Sequence, residues 1–240
     1  MLALAEPVAL GFGLRPRRAA YELQVPGRSQ SVRLRPYTSD FEVFVHVFVE
    51  KAYRHVDVAE PVGSIIDCGA NIGLAAFDLL DRFPDAHLVA VEPDAGNFDL
   101  LKRNLQSQAH RVTFIRGGIW SGHGYAVRDE VLWRDGREWS FRVRPAGPNE
   151  HGEIELISIP TLLERQHWTG VDLVKMDIEG AELEVFQHGS SDWLARTRVL
   201  AVELHDTECE GAFQTAILPF PFSISRVGEL TVATRQLRSV

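Results

Sequence analysis

From residue 64 onward, short apolar runs alternate with stretches whose apolar positions recur every three to four residues, the two periods of buried strands and amphipathic helices. The runs Ser64 to Cys68, Ala86 to Val91, Arg111 to Ile115, Val171 to Met176 and Val199 to Leu204 predict strands. Between them, Ile72 to Arg82, Ala95 to Gln106, Pro160 to Gln166 and Ala181 to His188 predict helices. Such alternation implies an α/β fold with a mostly parallel sheet and helices on both faces. At the C-terminal edge, Phe222 to Arg226 and Leu230 to Thr234 flank Val227-Gly228-Glu229 and predict an antiparallel hairpin. Upstream, Tyr21 to Val25 and Ser31 to Arg35 flank a turn-rich link and predict another hairpin. Ser39 or Asp40 is then placed to cap a helix carrying Phe41, Phe44, Val45, Phe48 and Val49 on one face. The expected organisation is an N-terminal hairpin-and-helix extension over 1–55 and a main domain over 56–240.

The rhythm breaks between Ser121 and Glu153, where glycines, prolines and scattered charges surround Trp133, Trp139 and Phe141. This stretch predicts an insertion of short strands and loop over the sheet, its aromatic residues serving either an acceptor pocket or local packing. Charge narrows the partners. With 25 basic against 33 acidic residues the net charge is −8, which argues against a general nucleic-acid surface. The cluster Arg15-Pro16-Arg17-Arg18 reads as a solvated tail. Cys68 and Cys209 fit no metal or disulfide framework, and a buried Cys68 thiol in a reducing, cytoplasmic setting is the expectation. The apolar stretch Met1 to Leu14 carries Glu6 and no basic flank, a poor match to a secretion signal. No run reaches the roughly 18 apolar residues of a membrane span.

Chemistry concentrates at the predicted strand ends, where open α/β sheets bind ligands. The first turn reads Asp67-Cys68-Gly69-Ala70-Asn71-Ile72-Gly73. Gly69 and Gly73 allow a tight turn and close ligand approach, Asn71 tolerates unusual backbone angles and can cap the next helix, and Asp67 is expected to point a carboxylate at the pocket mouth. Glu92 closes the second strand 25 residues after Asp67 and is followed by Pro93. An acid in this place can pair with both hydroxyls of a ribose. A dinucleotide site would carry three glycines and face a pyrophosphate, which Asp67 would repel; the same charge suits the ammonium group of a methionine moiety. S-adenosylmethionine is therefore preferred over NAD as the cofactor. Gly117, Gly118 and Ile119, after the third strand, can offer backbone and apolar contacts to its adenine.

Four stretches, Ile66-Asp67-Cys68-Gly69-Ala70-Asn71-Ile72-Gly73, Val91-Glu92-Pro93-Asp94, Lys175-Met176-Asp177-Ile178-Glu179-Gly180-Ala181-Glu182 and Val202-Glu203-Leu204-His205, resemble the FkbM family of S-adenosylmethionine-dependent methyltransferases. The upstream segment Asp40 to Tyr53 also resembles that family's lead-in helix. The resemblance implies a class I methyltransferase (Rossmann-like) fold and O-methylation of a small molecule, natural product or saccharide.

From the residues themselves, Asp177 and Glu179 follow one strand and Glu203 and His205 end another, placing carboxylates and an imidazole around one cleft. Methyl transfer to an alcohol needs a positioned base, and His205 is the expected one because its free pKa lies near neutrality. Asp177 or Glu203 would orient it or bind acceptor hydroxyls. Alternatively, the acids and the imidazole hold a divalent cation that lowers the acceptor's pKa. Lys175 is expected to pair with a carboxylate, Glu182 to sit on or cap the first turn of the next helix, and the other histidines, His46, His55 and His188 among them, to be surface or structurally satisfied residues. An NAD-dependent oxidoreductase and a non-catalytic nucleotide-binding module are the rival readings.

Overall fold

The computed structural model describes residues 20–129 and 142–236. The Met1 to Leu14 stretch, the Arg15 to Arg18 cluster and Trp133, Trp139 and Phe141 lie outside the described residues.

The chain opens with an antiparallel hairpin of β1 (Tyr21–Gln24) and β2 (Ser31–Leu34), followed by helix α1 (Asp40–Phe44), which continues in π-helical form over Val45–Val49. Then come β3 (Ser64–Cys68), α2 (Leu74–Arg82), β4 (His87–Glu92), α3 (Ala95–Asn104) and β5 (Val112–Arg116). The short strands β6 (Gly118–Ile119), β7 (Gly124–Arg128), β8 (Val143–Pro145) and β9 (Ile154–Ile157) lead into α4 (Ile159–Arg165). The chain continues through β10 (Val171–Met176), α5 (Glu182–Gln187), α6 (Ser190–Ala195), β11 (Thr197–Glu203) and α7 (Thr207–Ile217). It closes with the hairpin β12 (Phe222–Val227) and β13 (Leu230–Arg235).

Seven strands form one sheet in the order β12-β13-β11-β10-β3-β4-β5. The five from β11 to β5 are mutually parallel, and β13 runs antiparallel to both its neighbours. The chain steps outward from β3 to β5 in one direction and from β10 to β11 in the other. Strand order therefore reverses between β3 and β10, and a crevice opens beyond their carboxyl ends. Successive residues of β3 serve opposite faces. Ile65 packs into a core shared with Phe44, Phe48, Leu79 and Leu88, while Ile66 packs with Leu163, Val174, Trp193 and Phe213.

The insertion contributes β7 and β8 to a second, four-stranded sheet in the order β6-β9-β7-β8. Ala126, Val143, Ile154 and Leu156 form its own small core. The helices α6 and α7 were not foreseen: α6 is only six residues long, and α7 has few large apolar residues beyond Phe213 and Ile217 to set a period. Neither predicted cap for α1 operates. Ser39 stands at the cap position without a side-chain capping bond, and the Asp40 carboxylate accepts instead from the Arg35 backbone N–H (2.7 Å) and guanidinium.

Candidate active site

The turn after β3 is shaped by backbone that only small residues tolerate. Gly69 has φ +77°, and a Cβ there would lie 1.8 Å from the carbonyl oxygen of Asp177. The β3 and β10 turns are thus in backbone contact, which brings Asp177, Ile178 and Glu179 beside Asn71. Asn71 itself has φ +51°. It does not cap the next helix; Gly73 takes that position in a left-handed conformation.

Asp67 is not at the pocket mouth. Its carboxylate is fully buried and lies 3.1 Å from Lys175 Nζ, which also donates to the Gly69 carbonyl (2.7 Å) and stands 3.9 Å from Asp177. Burial pushes the Asp67 pKa up while Lys175 pulls it down, and Asp67 foremost among its neighbours keeps the Lys175 amine protonated against the cost of its own burial. Asp67 and Lys175 form an internal pair that fixes the turn. The partner foreseen for Lys175 is present, and the free anion foreseen at residue 67 is not.

Glu92, at the end of β4, is buried. It accepts from the backbone N–H of Asn71 (2.8 Å) and Asp94 (3.0 Å) and from Asn97 Nδ2 (3.3 Å). Burial pushes its pKa up to about 7, with those three donors pulling the other way. A pocket runs along it, lined by Gly69, Asn71, Glu92, Pro93, Asn97, Gly117, Gly118, Ile119, Val143, Asp177 and Glu179 among others. Ala70 sits behind this wall, its N–H given to Val91. Of the residues predicted to hold the cofactor, then, all but Asp67, Ala70 and Gly73 line one pocket.

At the ends of β10 and β11, four carboxylates close on one imidazole. His205 Nδ1 lies 3.0 Å from Glu182 Oε1, and its Nε2 lies 3.5 Å from Asp177, 3.6 Å from Glu179 and 3.6 Å from Glu203. The His205 side chain is wholly buried. Burial alone would lower its pKa, but the carboxylates of Asp177 and Glu182 outweigh that and raise it to about 11. His205 therefore stands behind the carboxylates as an imidazolium, an arrangement unlike the near-neutral base its type suggested. Glu182 reaches back from the start of α5 to accept from the N–H groups of Ile178 (2.8 Å) and Gly180 (2.7 Å), tying down the loop that carries Glu179 at φ +55°.

A family model described as the methyltransferase FkbM domain matches residues 67–229, more than half of the chain. The chain belongs to the FkbM family of S-adenosylmethionine-dependent methyltransferases. The NAD reading falls with that membership, and the sheet order above is the class I methyltransferase arrangement. Curated methyltransferases align with this chain as well. Methyltransferase sdnD of Sordaria araneosa is 25% identical over 67% of this chain and 73% of its own length. Methyltransferase 1 of Beauveria bassiana is 26% identical over 72% of this chain and 76% of its own. The hexuronic acid methyltransferase AglP of Haloferax volcanii is 28% identical over 62% of this chain and 59% of its own.

This FkbM methyltransferase has a second cavity, of about 570 Å³, adjoining the first. Gly69, Asn71, Asp177 and Glu179 line both. Its far wall is α1 and the π-helical turn, with Glu42, Val45, His46 and Glu50, and its rim includes Tyr53, Glu203 and Glu229. His46, expected to be a surface or structurally satisfied residue, is part of this wall and pairs with Glu50 at 3.3 Å. Glu182, Tyr53 and Glu229 were not singled out as site residues. For Glu229 its place in the β12–β13 turn was a usable signal, since that turn lies at the carboxyl end of the antiparallel β13's neighbour β11. The cavity wall formed by α1 precedes residue 67 and so lies outside the family match.

Proposed function

We propose that this enzyme transfers a methyl group to a hydroxyl of a small, neutral, hydroxyl-rich acceptor, a saccharide or natural product. The observation that carries this is the acidic cavity beside the Glu92 pocket. Among the described residues, Glu42, Glu50, Asp177, Glu179, Glu203 and Glu229 line it together with the buried Lys175 and the half-exposed His46. Carboxylates accept hydrogen bonds from hydroxyls and repel anions. AglP is described as acting on a hexuronic acid; the acids here favour a sugar without the carboxylate.

Glu92 would take a ribose hydroxyl of S-adenosylmethionine, with Pro93 and Gly117 to Ile119 against the adenine and Gly69 to Asn71 beside the methionine moiety. When bound, the cofactor supplies an electrophilic methyl group on its sulfonium. Asp177 and Glu179, the acids common to both cavities, would align the acceptor oxygen there, and Glu179 would receive its proton as the new bond forms. A non-glycine residue held at positive φ is strained, and such strain is concentrated where geometry matters for function. Glu203 would hold a neighbouring hydroxyl, while His205 and Glu182 position the three acids and do not touch the acceptor.

Calorimetry with S-adenosylmethionine, S-adenosylhomocysteine and NAD should give heat with the two sulfur cofactors only. Incubation with a panel of neutral, amino and uronic sugars should then add one methylene in mass to the neutral ones. Methylation confined to amines would overturn the hydroxyl reading, and cofactor binding without transfer to any acceptor would leave a nucleotide-binding module.

A further inference from the structure

The acceptor cavity is rich in hydrogen-bond acceptors and short of donors. Glu42, Glu50, Asp177, Glu179, Glu203 and Glu229 bring carboxylates to its wall. Each can accept from a hydroxyl, and none can donate while it is ionised. Among the described residues of that wall, the side chains that can donate are His46, Tyr53, Asn71 and Lys175. Lys175 is committed to Asp67 and Gly69, and His46 stands with Glu50 on the α1 side. Asn71 lies on the boundary with the Glu92 pocket. A sugar can satisfy such acids with its hydroxyl protons, but its ring oxygen carries only lone pairs and needs a donor.

Tyr53 meets that need. It is 5% exposed and packs in the core shared with Phe48 and Leu79, so its ring is held in place. The turn that carries it is pinned from α2, where Arg82 donates to the carbonyls of Tyr53 (2.5 Å) and Val56 (3.0 Å). Lys51, two residues earlier, is held at φ +59°, a strained setting of the kind that concentrates where geometry matters for function. Among the described residues, the hydrogen bonds of Tyr53 run through its carbonyl, from Arg82 and the Val56 N–H, which leaves the phenol for a ligand. The charges that act on this phenol are those of Lys175, Asp177, Asp67 and Glu203, so the hydroxyl faces the inner end of the cavity. Burial raises its pKa, the three acids add to that, and Lys175 opposes them only in part. The hydroxyl therefore stays protonated, a donor and not a base.

We propose that the Tyr53 hydroxyl is the specificity-determining donor of the acceptor cavity, bonded to the ring oxygen of a pyranose whose hydroxyls face the surrounding acids. This rests on the hydroxyl reading above and narrows it from polyols in general to cyclic sugars. A carbocyclic polyol offers the same hydroxyls but places a methylene where the ring oxygen would be. It would leave the Tyr53 donor buried and unpaired. A site built to bond a polar atom rejects the analogue that lacks it for this reason.

The test is a ligand-observed NMR titration of the full-length protein loaded with S-adenosylhomocysteine. The probes are the methyl pyranosides of glucose, galactose and mannose and their carba analogues, in which a methylene replaces the ring oxygen. Wild type should bind at least one pyranoside about tenfold more tightly than its carba analogue. Tyr53→Phe, which removes only the hydroxyl, should bring the two affinities together at the weaker value. Its affinity for S-adenosylhomocysteine and its unfolding temperature should match wild type, which a purely structural role for the hydroxyl would not allow. Should that variant fail to fold, the wild-type comparison of the paired ligands still decides. Equal affinity for pyranoside and carba analogue in wild type, or a preference that survives in Tyr53→Phe, overturns the inference and leaves the hydroxyl reading standing. A wild-type protein that binds none of the neutral pyranosides overturns both.

Discussion

Glu92 is asked to do two things that compete. Three of its roughly four acceptor positions are already taken by Asn71, Asp94 and Asn97, so one remains for a ribose hydroxyl. Its pKa of about 7 means that position is lost within the neutral range. Because the folded pKa is raised above the free value, the proton is held between about pH 4.5 and 7 and released above. Affinity for S-adenosylhomocysteine should therefore fall as pH drops through 7, and Glu92→Gln should bind more weakly with a flat profile, both by calorimetry across pH 5.5–8.5. A wild-type profile as flat as the variant's would place the ribose elsewhere. Gly69 gives a sharper case. Alanine there adds about 1–3 kcal/mol of backbone strain and drives a methyl group into the Asp177 carbonyl. Gly69→Ala should lower the unfolding temperature and eliminate cofactor binding together. The sequence made Gly69 and Glu92 legible because residue type at a strand end limits what the backbone can do. It misled at Asp67 and His205 because charge state depends on neighbours distant in the chain: Lys175 for the first, and chiefly the acids Asp177 and Glu182 for the second.

At the scale of elements, α1 and its π-helical continuation face the proposed acceptor site. They form one wall of the second cavity, and they share no residue with the cofactor pocket. Val45 is half-buried and lines that cavity, so Val45→Phe would narrow it without disturbing the core beneath. The acceptor KM should rise by about tenfold or more, the scale at which an apolar pocket discriminates small changes in bulk. Affinity for S-adenosylhomocysteine should stay the same; a parallel loss would show that α1 also shapes the donor side. The helix was legible from the spacing of Phe41, Phe44, Val45 and Phe48, but its role was not. Hydrophobic period reports which face is buried, whereas the polar residues Glu42, His46 and Glu50 become a cavity wall only when the strand ends are packed opposite them. The parallel strands were read closely, with Ser64–Cys68 and Val171–Met176 matching residue for residue, since fully buried strands leave unbroken apolar runs.

Across the whole molecule the two ends of the sheet are held by different means. At the amino ends of the strands, Asp172 accepts from the N–H groups of Gly63 and Ser64, the Ser64 hydroxyl and Arg198, and these bonds lower its pKa in spite of burial. That end is a staple, while the carboxyl ends carry the crowded acids. The sequence suggested one domain carrying an N-terminal extension over 1–55, because the alternating rhythm begins only at residue 64. Packing argues for a single cooperative unit. Val25, Val32, Leu34, Phe44 and Phe48 belong to the same core as Leu79, Leu88 and Leu101, and Asn104 on α3 bonds both the Arg33 backbone (2.7 Å) and the Ile72 carbonyl (2.8 Å). Removing the hairpin and α1 would strip one face of α2 and open the acceptor cavity. Differential scanning calorimetry should accordingly show one transition whose calorimetric and van't Hoff enthalpies agree. Asn104→Ala should shift that transition down without splitting it, since it cuts a tie inside the unit. Two resolved transitions, with the smaller lost on deleting residues 1–55, would establish the extension as a separate folding element and make α1 a module that can be exchanged to change the acceptor.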